Sequence, residues 1–162
     1  MKAACRLIGL STPQPYSLIS SSANCRVFMN REFSVEEANK TLPLVRRIVE
    51  DVVRQHRVWR EKILELDLVA SSARADEPRD RAEQLELDAQ AIAREIDGYQ
   101  RELEELGIQL KDRRLGLVDF PSEMGGRRVL LCWRLGEAEV QFWHDEDSGF
   151  AGRQPLQPTP VG

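Results

Sequence analysis

Two apolar seams of the same period stand either side of a short polar break, and an antiparallel helical hairpin is the fold that satisfies both. The first seam is Leu42, Val45, Val49, Val52, His56, Trp59, Ile63, Leu66 and Ala70. Its steps alternate between three and four residues, the heptad spacing of a coiled-coil-like helix. At about 1.5 Å per residue it spans roughly 43 Å. The second seam, Ala82, Leu85, Ala89, Ile92, Ile96, Tyr99, Leu103 and Leu106, has the same spacing. Between them Ser71 to Pro78 is polar and ends in a proline suited to opening a helix. Charge supports an antiparallel register. Residues 42–62 hold six basic and three acidic groups, and residues 87–106 hold two basic and six acidic ones.

The seam of the first helix does not hold all its apolar residues. Ile48, Val53, Val58, Leu64 and Leu68 lie off it, and this surplus asks for a further partner surface. The expected arrangement is a homodimer built as a four-helix bundle, with Val49, Val52, His56, Trp59 and Ile63 at the interface. His56, a polar residue in an apolar seam, would set register or partner choice.

Before the hairpin, Ser34 and Glu37 form a capping box. Pro43 follows soon after, and a proline inside a helix breaks its bonding. The expectation is a short helix from Ser34 to Lys40, then a bend, then a new start capped by Thr41. After the hairpin, Gly107 is placed as a left-handed helix cap backed by Ile108. Residues 107–156 then read as a small antiparallel β-meander packed on the hairpin base, in one domain with residues 31–106. Strands are expected at Ile108–Lys111 and Leu115–Phe120, the second stopped by Pro121, with a turn at Gly125-Gly126. The strongest strand signal runs from Arg128 to Leu135 and continues from Ala138 to His144. A two-residue turn at Gly136-Glu137 would pair Leu135 with Ala138, Trp133 with Val140 and Leu131 with Phe142. That register turns Phe142 towards the helices, exposes Trp143, and puts Cys132 and His144 on opposite faces. The fold class is α+β.

The totals exclude some functions. The 162 residues are 41% hydrophobic and 31% charged, with a net charge of −4. A mildly acidic chain has no global attraction to nucleic acid or anionic membranes. On helix one the spacings Arg47–Asp51, Glu50–Arg54 and Arg57–Glu61 would neutralise local charge. Three widely spaced cysteines, Cys5, Cys25 and Cys132, make neither a disulfide framework nor a zinc pattern and fit a reducing cytoplasm. No apolar run is long enough to span a membrane. Residues 1–30 are expected to be a disordered tail or the product of a start codon placed upstream of Met29. Residues 157–162 are expected to be a mobile tail.

Several stretches resemble one prokaryotic family, that of domain of unknown function 2203. They are Phe33-Ser34-Val35-Glu36-Glu37-Ala38-Asn39 with Leu42-Pro43, and Leu106-Gly107 with Gly116-Leu117-Val118-Asp119-Phe120-Pro121. The most specific is Leu131-Cys132-Trp133-Arg134-Leu135-Gly136-Glu137, continued by Trp143-His144 and Gly149-Phe150-Ala151-Gly152-Arg153. The resemblance covers about residues 31–156. It implies a small cytoplasmic protein of hairpin plus β unit, and it implies no activity.

Chemistry concentrates after Gly107. His144, Asp145 and Asp147 are metal-ligand types, but their spacing fits no standard site, and an acidic turn is the simpler account. Cys132 is expected to be a plain buried residue. Arg134 and Arg153 could hold an anion, with Arg153 otherwise anchored on Asp119 or Glu139. The leading expectation is a non-enzymatic interaction or scaffolding module that self-associates through its hairpin. The alternative is a small ligand- or metal-binding protein or enzyme with a site formed by Arg134, His144, Asp145, Asp147 and Arg153. No cofactor, nucleic acid or membrane is expected.

Overall fold

A computed structural model describes residues 31–72 and 79–156; the expectations for the two tails and for the loop before Pro78 fall outside them. Helix α1 spans Val35–Ser72 and α2 spans Arg79–Glu105. The strands are β1 (Gln109–Asp112), β2 (Leu117–Met124), β3 (Arg127–Arg134), β4 (Phe142–Asp145) and β5 (Gln154–Pro155), with a short 3-10 turn at Phe150–Gly152 before β5. The sheet is an antiparallel meander in the order β1-β2-β3-β4-β5.

The caps form as the residue types dictate. Ser34 N–H donates to Glu37 Oε2 at 2.9 Å, and Glu37 N–H donates back to Ser34 Oγ at 3.2 Å. At the end of α2, Gly107 takes φ 83°. Ile108 N–H then reaches Leu103 O and Gly107 N–H reaches Glu104 O, both at 2.9 Å, the two bonds of a Schellman ending.

The separate short helix does not occur. Helix α1 runs through Pro43 without a break. Thr41 caps no new start, because its hydroxyl donates to Glu37 O at 2.8 Å. Packing decides the matter. Ala38, Leu42, Val45, Ile48 and Val49 keep one helical phase in the core, and a bend at Pro43 would turn half of them outward.

The helices pair in opposite directions. Gln55 meets Glu95, Lys62 meets Asp88 and Glu65 meets Arg81, the partner numbers falling as the first numbers rise. Only the near half of α1 reaches the sheet. Phe33, Val45, Val49, Leu103 and Ile108 are buried there with Val118, Phe120, Leu131 and Trp133. Phe33 meets Phe120 edge to face at 5.3 Å. Off-seam Ile48 is part of this core and Val53 packs against it, so the sheet takes up much of the surplus apolar surface. Val49 and Val52 are fully enclosed within the chain. Further along α1, Leu64 and Leu68 are 58% and 70% exposed.

Strand β2 also continues past Pro121. Pro121 pairs with Leu130, and its carbonyl accepts from Phe33 N–H at 2.7 Å. A residue's N and O point to the same side of a strand, so the missing N–H faces away from β3, where β1 has already ended.

The largest departure is the register of β4. Leu131 pairs with Trp143 and Cys132 with Phe142, one residue off the register a two-residue turn would set. Residues 135–141 form a longer loop held by α1 and by Trp133 of β3. Asn39 Oδ1 accepts from Val140 N–H at 2.8 Å. Arg46 donates to Glu137 O and Ala138 O, and Trp133 Nε1 donates to Glu137 O. A one-residue slip exchanges the faces of the whole strand. Trp143 therefore packs against the core, and Phe142 lies on the other face with Cys132.

Candidate functional site

The face of the sheet away from the helices carries three buried groups of unlike chemistry. Asp119 stands opposite Cys132 across β2 and β3. His144 stands opposite Leu130, two residues from Cys132. Directly paired residues share a face, and so do diagonal neighbours two residues on. One ligand atom from each of Asp119, Cys132 and His144 lies within 4.8 Å of the other two. Their exposures are 1%, 0% and 2%.

The hydrogen bonding of this cluster is incomplete. His144 Nδ1 lies 2.9 Å from Asp145 O. A carbonyl oxygen only accepts, so Nδ1 carries the proton. That leaves Nε2 facing Asp119 Oδ2 at 3.3 Å. With Nδ1 as the donor, the Nε2 lone pair faces the carboxylate oxygen, a contact that a proton shared between the two or a metal cation would bridge. Asp119 Oδ1 is buried and has no hydrogen-bond partner among the described residues. The nearest cation, Lys111, has Nζ 4.0 Å from Oδ2 and donates to Gln109 Oε1 at 2.8 Å. The Cys132 thiol is pushed up to about 12, by burial first and then by the Asp119 charge. A thiol so hard to ionise, with no exposed surface, is not a free nucleophile.

Beside the cluster, Arg153 holds the chain end on the sheet. Its Nη1 and Nη2 donate to the two carboxylate oxygens of Glu137, both at 2.8 Å, and Nη2 also reaches Cys132 O at 3.1 Å. The guanidinium lies over Phe142 at 4.2 Å and Phe150 at 5.0 Å. The expected anchors, Asp119 and Glu139, are not its partners.

Of the residues expected to form a site, Arg134, His144 and Arg153 lie on this face. Arg134 is exposed and lends only its backbone N–H, to Glu137 Oε2. Asp145 alternates to the opposite face and sits 3.8 Å from Arg127, while Asp147 is exposed. His144, Asp145 and Asp147 therefore do not converge. Asp119 was not among the expected site residues, and Cys132 was set apart from His144 because the two-residue-turn register puts them on opposite faces. The signal for Asp119 was a carboxylate inside the apolar run Leu117-Val118-Asp119-Phe120; the signal for Cys132 depended on the β4 register. His56 lies on the hairpin, half-buried and stacked on Trp59 at 5.9 Å.

The class defined here is an α+β chain in which a helical hairpin rests on one face of an antiparallel meander and an Asp–Cys–His cluster is enclosed on the other. The chain belongs to the family described as uncharacterized conserved protein DUF2203, whose model matches residues 31–156. No curated protein and no solved structure matched. Among the described residues no helix is long and apolar enough to cross a membrane.

Proposed function

We propose that this is a metal-binding protein that holds a divalent transition ion between Asp119 Oδ, Cys132 Sγ and His144 Nε2. The observation that carries the reading is the convergence of these three buried ligand types, within 4.8 Å of one another. Thiolate, imidazole and carboxylate together suit zinc. His144 is oriented as metal-bound histidines commonly are, with the other ring nitrogen donating to a backbone carbonyl. Zinc bonds of about 2.0–2.3 Å in a tetrahedron set ligand separations near 3.3–3.7 Å. The His144–Asp119 contact of 3.3 Å already has that length. The three ligand atoms lie within 4.8 Å of one another, so binding would draw the set together to zinc-ligand spacing. Three protein ligands leave a fourth position for water or a small ligand.

The test is metal analysis of the purified protein, followed by cobalt titration of EDTA-treated protein. Stoichiometric zinc and a thiolate-to-cobalt absorption band are expected, with the band lost in Cys132→Ser. A folded protein that binds neither ion, with an imidazolium Nε2 proton on His144 by NMR, would refute the site.

A second reading, self-association as a scaffolding module, is favoured by exposed leucines on the distal hairpin. Leu64, Leu68 and Leu87 are 58%, 70% and 52% exposed, and the Lys62–Asp88 contact sets Leu64 and Leu87 at the same level. Sedimentation equilibrium should give a dimer that Leu64→Gln with Leu68→Gln dissociates; a monomer at tens of micromolar would exclude it.

A further inference from the structure

A groove of about 720 Å³ opens between α1 and the β1–β2 turn, lined by His56, Trp59, Arg60 and the stretch from Leu110 to Arg114. It is a shallow, open groove, so a ligand there would keep one side in solvent. A second groove of about 390 Å³ shares His56, Arg60 and Arg114 with it and adds one basic and one acidic residue, Arg57 and Glu61. Arg60 and Arg114 thus stand between two clefts.

The charges are not balanced. Arg113 is tied to α2, its Nη2 at 3.1 Å from Asp97 Oδ1 and 2.7 Å from Gln100 Oε1. Arg60 and Arg114 make no ion pair among the described residues. The carboxylate lining the larger groove, Asp112, is engaged by the turn itself: its Oδ1 accepts from the N–H groups of Arg114 and Leu115 at 2.7 and 2.8 Å. The expected Arg57–Glu61 pair is absent as well, and Arg54 pairs with Asp51 instead. The field reaches His56, whose pKa is lowered by burial and then by Arg60 and Arg113, with Asp112 opposing. A neutral imidazole beside unpaired guanidinium groups marks a place prepared for negative charge.

Charge is only part of the lining. Trp59 and His56 stack with 21° between their planes, and Leu110 lies in the same wall. An inorganic anion would leave these apolar surfaces unused. An aromatic ring would cover them, since stacking on tryptophan is favourable for any planar base. Arginine is suited to the other end, because its planar fork matches phosphate oxygens.

We propose that this groove binds a small phosphorylated aromatic compound of nucleotide chemistry, with Arg60 and Arg114 on the phosphate and the Trp59–His56 stack against the ring.

Calorimetry on the full chain tests this with four probes: AMP, inorganic phosphate, adenosine and a short single-stranded oligonucleotide. AMP should bind more tightly than phosphate or adenosine. Arg60→Gln with Arg114→Gln should weaken both AMP and phosphate by about tenfold or more at an unchanged Tm. Trp59→Leu should weaken AMP while leaving phosphate binding in place. If Trp59→Leu fails to fold, saturation transfer from protein to the adenine protons in the unsubstituted chain gives the same answer. The proposal is overturned if AMP shows no binding at millimolar concentration, if the double substitution leaves AMP binding unchanged, or if the oligonucleotide binds where AMP does not.

Discussion

Arg153 grips Glu137 with two parallel hydrogen bonds of 2.8 Å, and each side chain is largely enclosed, at 12% and 16% exposure. The pair joins the chain end to the loop that sets the register of β4. Removing one partner of such a pair strands the other charge. Glu137→Gln should therefore cost about 2–4 kcal/mol, and Arg153→Lys, which keeps the charge but loses the fork, about 1–3 kcal/mol. Urea unfolding of each variant measures this; losses below a few tenths would show that the pair does not hold the loop.

The same pair predicts a pH dependence. Burial pushes the Glu137 carboxyl up, but its hydrogen bonds from Arg153 and from the Arg134 N–H outweigh this and hold it below the ordinary 4.5. A carboxyl depressed in the folded state contributes stability above its unfolded value and loses it as pH falls through the folded one. The parent protein should weaken on acidification below about 4.5 more steeply than Glu137→Gln, as read from unfolding midpoints between pH 6 and pH 3. Parallel profiles would contradict the assignment.

Cys132 should resist alkylation. Its thiol stands at about 12 against an ordinary 9.0. In the metal-free protein this reduces the thiolate at pH 8 by about 10³-fold, before burial restricts access, and a bound zinc would shield the sulfur as well. Peptide mass spectrometry after iodoacetamide treatment should find residue 132 unmodified in the native protein and fully modified in denaturant. Rapid native labelling would mean that the sheet face opens.

Gly116 sits at φ 61°, and a Cβ there would lie 2.6 Å from Val49 Cγ1 and 2.9 Å from Leu135 Cβ. Left-handed backbone and overpacking together should make Gly116→Ala cost about 2–4 kcal/mol. Gly125 has a similar φ of 60° but open space around it, so Gly125→Ala should cost only about 1–2 kcal/mol. Thermal unfolding of the two variants side by side separates packing from backbone strain.

Pro43 is exposed inside α1. Pro43→Ala restores a helical N–H and should stabilise by roughly 1–3 kcal/mol, less the entropy proline removes from the unfolded chain. Destabilisation would mean that the helix depends on the proline for its course.

By itself the sequence determined what is local. The two long helices, the Ser34–Glu37 box, the Gly107 ending and the Gly125-Gly126 turn each depend on residues a few positions apart, and each formed where its chemistry placed it. The opposed charges of the two helices also carried their antiparallel pairing. The course of α1 through Pro43 was settled only by tertiary structure, because the burial of Leu42, Val45 and Val49 against the sheet outweighs one unfavourable residue. The register of β4 was settled the same way. Residues 138–144 alternate acceptably in either register, so periodicity cannot choose between them. Asn39 and Arg46, about a hundred positions away in the chain, choose by bonding to the loop. That choice brings Asp119, Cys132 and His144 to one face, and the candidate metal centre exists only because of it.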